Sequence, residues 1–308
     1  MAKILVTGGA GFIGSHVVDH YLAAGHAVAV VDDLSSGSRD NLNPKAALYE
    51  LDIRDDALGG VFEKERPDFV NHLAAQMDVR RSVEDPAFDA DVNVRGSIRV
   101  LEQCVRHGVK KLFFASTGGA IYGEPAVLPA SESTPAEPLA PYGLSKFCVE
   151  QYILLYQRIH GLPYTILRFP NVYGPRQSPH GEAGVCAILI GLMLAGKRPV
   201  LYGHGEPTRD YVYVGDIARA CVLALDKAAG ATLNLGSGVG TSVRELFDIT
   251  ARLTDFAGAP ELAPLRKGEI AHICITGDKA AEQLGWTPEV GIEEGLRRTV
   301  AHIREAGA

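Results

Sequence analysis

The stretch Thr7-Gly8-Gly9-Ala10-Gly11-Phe12-Ile13-Gly14, set between an apolar run and the start of a helical stretch, narrows the possible folds more than any other part of this sequence. A chain that turns sharply there and brings its backbone against a pyrophosphate has no room for side chains. The N-terminus of the following helix supplies oriented N–H donors and a positive dipole end. Gly14 then lets the helix lie close to the sheet. A glycine triplet alone is weak evidence, but one placed between strand and helix, with an acid at the right distance, is strong. That acid is Asp32, which closes the next apolar run about 20 residues past the glycines. A carboxylate there accepts hydrogen bonds from both hydroxyls of an adenosine ribose and repels a 2′-phosphate, so NAD is expected rather than NADP. Arg39 lies further along the same loop and is expected to be solvated. Asp52-Ile53, after a third strand, is placed near the adenine, although a turn or cap role for Asp52 fits its spacing equally well.

The first half of the chain alternates apolar, β-branched runs with helical stretches. Strands are expected at Lys3–Thr7, Ala27–Asp32, 48–52, 69–74, 112–116 and Tyr164–Phe169, with helices over 13–24 and 91–107, the second closed by Gly108. Runs that are apolar throughout, such as Ala27-Val28-Ala29-Val30-Val31, suit strands buried on both faces of a parallel sheet. Repeated βαβ units of this kind predict an α/β fold, a Rossmann-type doubly wound parallel sheet with right-handed crossovers. Five prolines from Pro125 to Pro141 mark a loop, read as an ordered active-site loop because the helix after it carries the strongest catalytic motif in the chain. After Phe169 the rhythm weakens and Gly and Pro become frequent. A dinucleotide-binding domain over 1–169 and a smaller C-terminal substrate-binding lobe over 170–308 are therefore expected. A segment near 212–236, with a strand at 232–235, is expected to return to the main sheet. There is no internal repeat and no low-complexity tract.

At 308 residues and 46% hydrophobic content the chain can bury a large core, and its length is near that at which a second lobe appears. A net charge of -7 offers no clustered Lys and Arg for a phosphate backbone, which argues against nucleic acid as the main ligand. Cys104, Cys148, Cys186, Cys221 and Cys274 form no C-x-x-C pair and stand at no metal-ligand spacing, so no metal is expected and reduced, mostly buried thiols point to the cytoplasm. The opening residues read as a strand without a basic, apolar leader, and the longest apolar stretch, 185–195, falls far short of the roughly 20 residues a membrane helix needs. No membrane role is expected.

Tyr142-Gly143-Leu144-Ser145-Lys146 puts a phenol and an ammonium four residues apart, on one face of a helix with Cβ atoms about 6 Å from each other. A tyrosine acting as base near pH 7 needs its pKa lowered by about three units, roughly 4 kcal/mol. A neighbouring cation supplies part of that. Alone, Y-x-x-x-K is common by chance.

Taken together, the motifs are specific. Thr7–Gly14, Asp32, Asp52, His72-Leu73-Ala74-Ala75, Asn93, Ser116-Thr117 and the Tyr142/Lys146 pair resemble, in order and spacing, the extended short-chain dehydrogenase/reductase family. The likeness continues through Arg168-Phe169-Pro170-Asn171-Val172-Tyr173-Gly174-Pro175-Arg176, Arg209-Asp210-Tyr211-Val212, Asn234-Leu235-Gly236 and Leu284-Gly285-Trp286-Thr287-Pro288, and so covers nearly the whole chain. It is greatest to the UDP-glucose 4-epimerase type. The resemblance implies a tightly bound NAD and epimerisation at C4 of a UDP-hexose through a transient 4-keto intermediate, with Tyr142 as base and Lys146 holding the nicotinamide ribose and depressing the phenol pKa.

The resemblance further assigns the cofactor to Gly8, Gly11, Phe12, Ile13, Asp32, Asp33, Ser36, Gly37, Asp52, Ile53, Leu73, Ala74, Ala75, Gln76, Asn93, Tyr142, Lys146 and Pro170. One departure matters. The family's hydroxyl beside the tyrosine falls on Gly118, which has none, so the role passes to Thr117, with Ser116 behind it. Relatives that dehydrate or decarboxylate carry an acid in this stretch. Gly118-Gly119 offers none, which favours epimerisation. For the nucleotide sugar, the resemblance assigns Asn171, Arg209 and Arg266 to the diphosphate, Glu269 to a ribose hydroxyl, Tyr202 to the uracil and Thr117 to the sugar. Ile273 takes the place that gates N-acetyl sugars, and its intermediate size suggests their acceptance. The helices over 91–107 and 142–160 are those that pair across a homodimer in this family. Two other readings are a related enzyme, such as a UDP-glucuronate 4-epimerase or a nucleotide-sugar reductase, and a dinucleotide-binding sensor without chemistry. The intact Tyr142/Lys146 pair argues against the sensor.

Overall fold

The computed structural model describes residues 1–179, 184–266 and 270–306. Its first part runs β1 (Lys3–Thr7), α1 (Phe12–Ala23), β2 (Ala27–Asp32), β3 (Ala47–Glu50), α2 (Leu58–Glu65), β4 (Phe69–His72), α3 (Val79–Glu84), α4 (Pro86–Ala90), a π-turn at Asp91–Arg95, α5 (Gly96–Arg106), β5 (Lys111–Thr117), α6 (Pro141–His160) and β6 (Tyr164–Phe169). It continues through β7 (Asn171–Tyr173), α7 (Val185–Leu194), β8 (Val200–Tyr202), β9 (Thr208–Tyr213), α8 (Val214–Leu223), β10 (Ala231–Asn234), β11 (Gly240–Ser242), α9 (Val243–Thr254), β12 (Glu261–Ala263), β13 (His272–Ile273), α10 (Asp278–Leu284) and α11 (Ile292–Ala306).

Seven strands form one sheet in the order β10-β6-β5-β4-β1-β2-β3, and every neighbouring pair is parallel. Strands that are apolar on both faces must be covered on both faces, and helices do this. Apolar side chains of α1, α8 and α10 pack on one side together with the fully buried Trp286. Those of α2, α5 and α6 pack on the other. The order reverses beside β1, and in such sheets ligands bind at the C-terminal strand ends near that switch point. The late strand β10 joins the edge by pairing with β6. A separate cluster from α7, α9 and α11 forms the smaller lobe's core, beside a sheet in which β9 pairs with β7, β11 and β13.

Differences from the sequence expectations are local and have causes. The stretch 91–107 is not one regular helix: it opens in a π-turn, where Ser97 Oγ donates 2.5 Å to the Asn93 carbonyl. Strand β4 stops at His72 rather than running to 74, because Ala74 N turns to the Thr7 side chain at 3.2 Å. Strand β3 stops at Glu50, and Asp52 turns its carboxylate back to Arg54. Arg39 is exposed and pairs with Glu50. Four of the five thiols are buried and Cys148 is partly so; none is bonded to another. No described helix is long and apolar enough to cross a membrane.

A buried polar chain ties the sheet to α6. Arg168 on β6 grips Glu150 on α6 through Nε at 2.9 Å and a terminal nitrogen at 2.6 Å, and Ser116 Oγ donates to the same carboxylate at 2.6 Å. Arg168 also donates to the Tyr122 hydroxyl at 2.7 Å, which donates to Asn234 Oδ1 at 2.8 Å. Breaking such a pair from one side leaves a buried charge, which costs about 3–5 kcal/mol, whereas replacing both partners by apolar groups costs far less. Arg168→Met should therefore lower the urea-unfolding free energy by about 3 kcal/mol, and the Arg168→Met/Glu150→Met double variant by less than the single one. A single variant losing under about 1 kcal/mol would show the pair to be dispensable.

Candidate active site

Glycines shape the site at the ends of β1 and β4. Gly8 holds φ +71°, and a Cβ there would lie 2.7 Å from the Ala74 amide nitrogen. A Cβ on Gly14 would lie 2.0 Å from the Gly8 carbonyl oxygen. The turn admits neither side chain. Gly11 precedes α1 and offers no side-chain cap, so the first amides of that helix, at Phe12 and Ile13, are left for a ligand. Asp32 is buried at the tip of β2 and accepts from Ala10 N at 2.8 Å and Leu34 N at 2.9 Å. Burial raises its pKa above the usual carboxylate value, and these amides oppose the rise. Asp33 and Ser36 are exposed on the loop that follows. Gly37 presses against Asp32, where a Cβ would meet Oδ1 at 3.0 Å.

At the end of β3, Asp52 is held by the Arg54 guanidinium, with oxygens 2.6–3.0 Å from its nitrogens. That bond holds the carboxyl below its usual range. Arg54 reaches on to Asp91 at 2.7 Å. Ile53 is buried against Gly96, where a Cβ would lie 2.7 Å from its Cδ1. Leu73, Ala74, Ala75 and Gln76 leave β4 half-buried. The buried Asn93 pins this loop, accepting from Gln76 N at 2.8 Å and donating to Gln76 O at 2.9 Å. Pro170 is buried just beyond β6.

The candidate chemistry lies between β5 and α6. Lys146 is buried, donates to the Ala115 carbonyl at 2.9 Å and stands 4.8 Å from the centre of the Phe114 ring. Desolvation pushes its pKa down to about 8, against the pull of Asp89 and Glu150. One turn earlier on the same helix, burial, with Asp89 adding to it, raises the Tyr142 phenol above its usual value. Ser116 is committed to Glu150. Thr117 ends the strand and is buried. Gly118 has a steric reason to lack a side chain: a Cβ would lie 2.3 Å from Ile275 Cδ1.

From the smaller lobe, Asn171 and Ile273 line a narrow crevice with Gly118, Gly119, Pro170 and Ile275, and Ile273 is buried within a cluster holding Ile121 and Tyr122. Arg209 directs its guanidinium to the carbonyls of Thr208, Ile270 and Ala271 at 2.6–3.1 Å. Tyr202 and Arg266 stack, with Cζ 3.6 Å from the ring centre. Glu269 lies outside the described residues. Sequence reading missed Asp89, Glu150 and Ile275. Asp89 and Glu150 left a local signal, Asp89 standing four residues before Asn93 and Glu150 four residues after Lys146; Ile275 left none.

The model of the family described as NAD dependent epimerase/dehydratase matches residues 4–236. A UDP-glucose 4-epimerase of Thermotoga maritima, solved with UDP-glucose, superposes with a TM-score of 0.98 at 48% identity, covering 99% of this chain and 100% of that one. A Thermus thermophilus UDP-glucose 4-epimerase, solved with NAD, gives 0.93 at 45% identity with 99% of each chain covered. The UDP-glucose 4-epimerase of Mycolicibacterium smegmatis is 43% identical, with 98% of each chain covered.

The contact between Gly118 and Ile275 is testable by stability alone. Gly118→Ser should cost about 1–3 kcal/mol through overpacking. Adding Ile275→Ala should make the serine cheaper than it is in the parent. If a thermal melt finds the two changes additive, the contact does not explain the glycine.

Proposed function

The chain belongs to the NAD dependent epimerase/dehydratase family, and on that footing we propose that it interconverts UDP-glucose and UDP-galactose by inverting C4. One observation carries this reading. Lys146, one helical turn from Tyr142, is bonded to the β5 carbonyl two residues before Thr117, where the strand ends in two glycines and no acid. Epimerisation needs a base, a cation and a hydroxyl at that place. Dehydration and decarboxylation need a further carboxylate.

The residues present suit NAD: uncapped amides at α1 for a pyrophosphate, and the buried Asp32 for ribose hydroxyls. When bound, NAD supplies the hydride acceptor and donor and a positively charged nicotinamide ring beside the phenol. Tyr142 takes the proton from the sugar 4-hydroxyl and returns it once the sugar presents its opposite face. Desolvation of its half-buried side chain opposes ionisation of the phenol, so it depends on nearby positive charge, and Lys146 supplies that charge from the protein. Thr117 orients the sugar oxygen, because Ser116 already donates to Glu150. Asn171, Arg209 and Arg266 hold the diphosphate and Tyr202 the uracil, as guanidinium forks suit phosphate oxygens. The exposed Leu155 and Ile159 on α6 belong to a homodimer face, and we assign the protein to the cytoplasm.

The direct test is to incubate the purified protein, without added NAD, with UDP-galactose, UDP-glucuronate and UDP-N-acetylglucosamine and to follow C4 inversion by NMR. UDP-galactose should convert, and Tyr142→Phe should lower kcat by about 10²–10⁴-fold. Thr117→Val should cost more activity than Ser116→Ala. A rate lowered only by the serine change would move the sugar contact to Ser116. Turnover of the glucuronate alone would replace the hexose as substrate. Wild-type inactivity on all three, even with NAD supplied, would overturn the reading.

A further inference from the structure

The carboxylate of Asp89 is fully buried, yet among the described residues the side chains that donate to it are uncharged: Gln76 Nε2 at 3.0 Å, Asn93 Nδ2 at 2.9 Å and Ser145 Oγ at 2.6 Å. A buried anion without a cation in its own shell is costly unless its charge is used nearby. Ser145 shares a helical face with Tyr142, three residues before it, and is the residue before Lys146, so its bond holds Asp89 against the turn of α6 that carries both groups. We propose that Asp89 is a positioning residue that acts as the counter-charge of the buried Lys146 and, through Lys146 and Tyr142, sets the pH range of the reaction.

Other charged and titratable groups face this ammonium. Glu150, on the same helix, is already matched by Arg168 at 2.6 Å. His72, on β4, sits between Thr7 Oγ1 at 2.7 Å and Ser97 Oγ at 2.8 Å, and burial and the lysine hold it neutral, its pKa down to about 3. Tyr142 is the remaining one. Among the described residues, Asp89 is thus the negative group near Lys146 not already neutralised by an arginine. The signs follow from charge. The carboxylate keeps Lys146 protonated to higher pH and makes Tyr142 harder to ionise, so it moves both titrations upward.

The inference rests on the epimerase reading, and the experiment separates the two. Wild-type conversion of UDP-galactose is measured first; inactivity there counts against the reaction, not against the counter-charge. Then Lys146 is titrated by NMR in protein carrying ¹³C-labelled lysine, with Lys146→Met to assign the signal. In Asp89→Asn its pKa should fall by about one unit, and both limbs of the kcat/KM profile should move to lower pH. The rate at pH 9 then drops about tenfold more than the rate at pH 6.5. A profile lowered in height with unmoved limbs, or an unchanged lysine titration, would reduce Asp89 to a structural role. Ser145→Ala provides a second arm if Asp89→Asn does not fold. It keeps the charge and removes only the hydroxyl bridge, so the lysine titration should stay within about 0.3 units of wild type. A larger displacement would show that the bridge, not the charge, controls the lysine.

Discussion

Burial of one ammonium organises this molecule. Lys146 lies inside the fold against the Ala115 carbonyl and the Phe114 ring, on a helix locked to β6 by Glu150 and Arg168. A charge taken out of water needs fixed partners, and fixed partners need a rigid frame. The parallel sheet is that frame. Its central strands bring His72, Ala115 and Arg168 to neighbouring strand ends, while α6 carries Tyr142, Ser145, Lys146 and Glu150 along one side. The same low-polarity surroundings that make the lysine costly also strengthen its electrostatic hold on its neighbours.

The two lobes meet at a point of little tolerance. Ile275 from the smaller lobe occupies the space that a side chain at 118 would need. The Ile275 amide is in turn held by the buried Asp210 at 3.3 Å, which also accepts from Ser237 Oγ at 2.5 Å. The proline-rich loop joins here as well, with Ala130 bridging to Ile275. A glycine that seems to subtract a functional group from the strand end therefore serves the packing between lobes.

Much of this was legible in the chain. The glycine turn, Asp32 and the Tyr142/Lys146 pair are short-range patterns whose spacing is dictated by a turn or by helical periodicity. The apolar runs were long enough to announce buried parallel strands. What escaped is long-range. Glu150, Arg168, Tyr122 and Asn234 come from four separate segments, and nothing near any of them names its partner. The strands β7, β8 and β11 to β13 carry only two or three residues each, too few for alternation to register, and their pairing depends on contacts distant in sequence. Spacing alone fits Asp52 to the adenine and to a turn equally well. Its grip on Arg54 depends on a residue two places away whose guanidinium also needs Asp91.

The π-turn at Asp91–Arg95 works as a phase adjuster between two helical surfaces. An α-helix advances about 100° per residue, so one extra residue in a turn rotates everything beyond it by that angle. Before the turn the chain aims Asp89 at the α6 face; after it, Val100, Leu101 and Cys104 aim at the sheet. A regular helix of equal length would satisfy one surface and misalign the other. Sequences that lose a residue here would have to surrender either the polar contact or the apolar seam, which makes the length of this stretch as much a part of the design as any side chain on it.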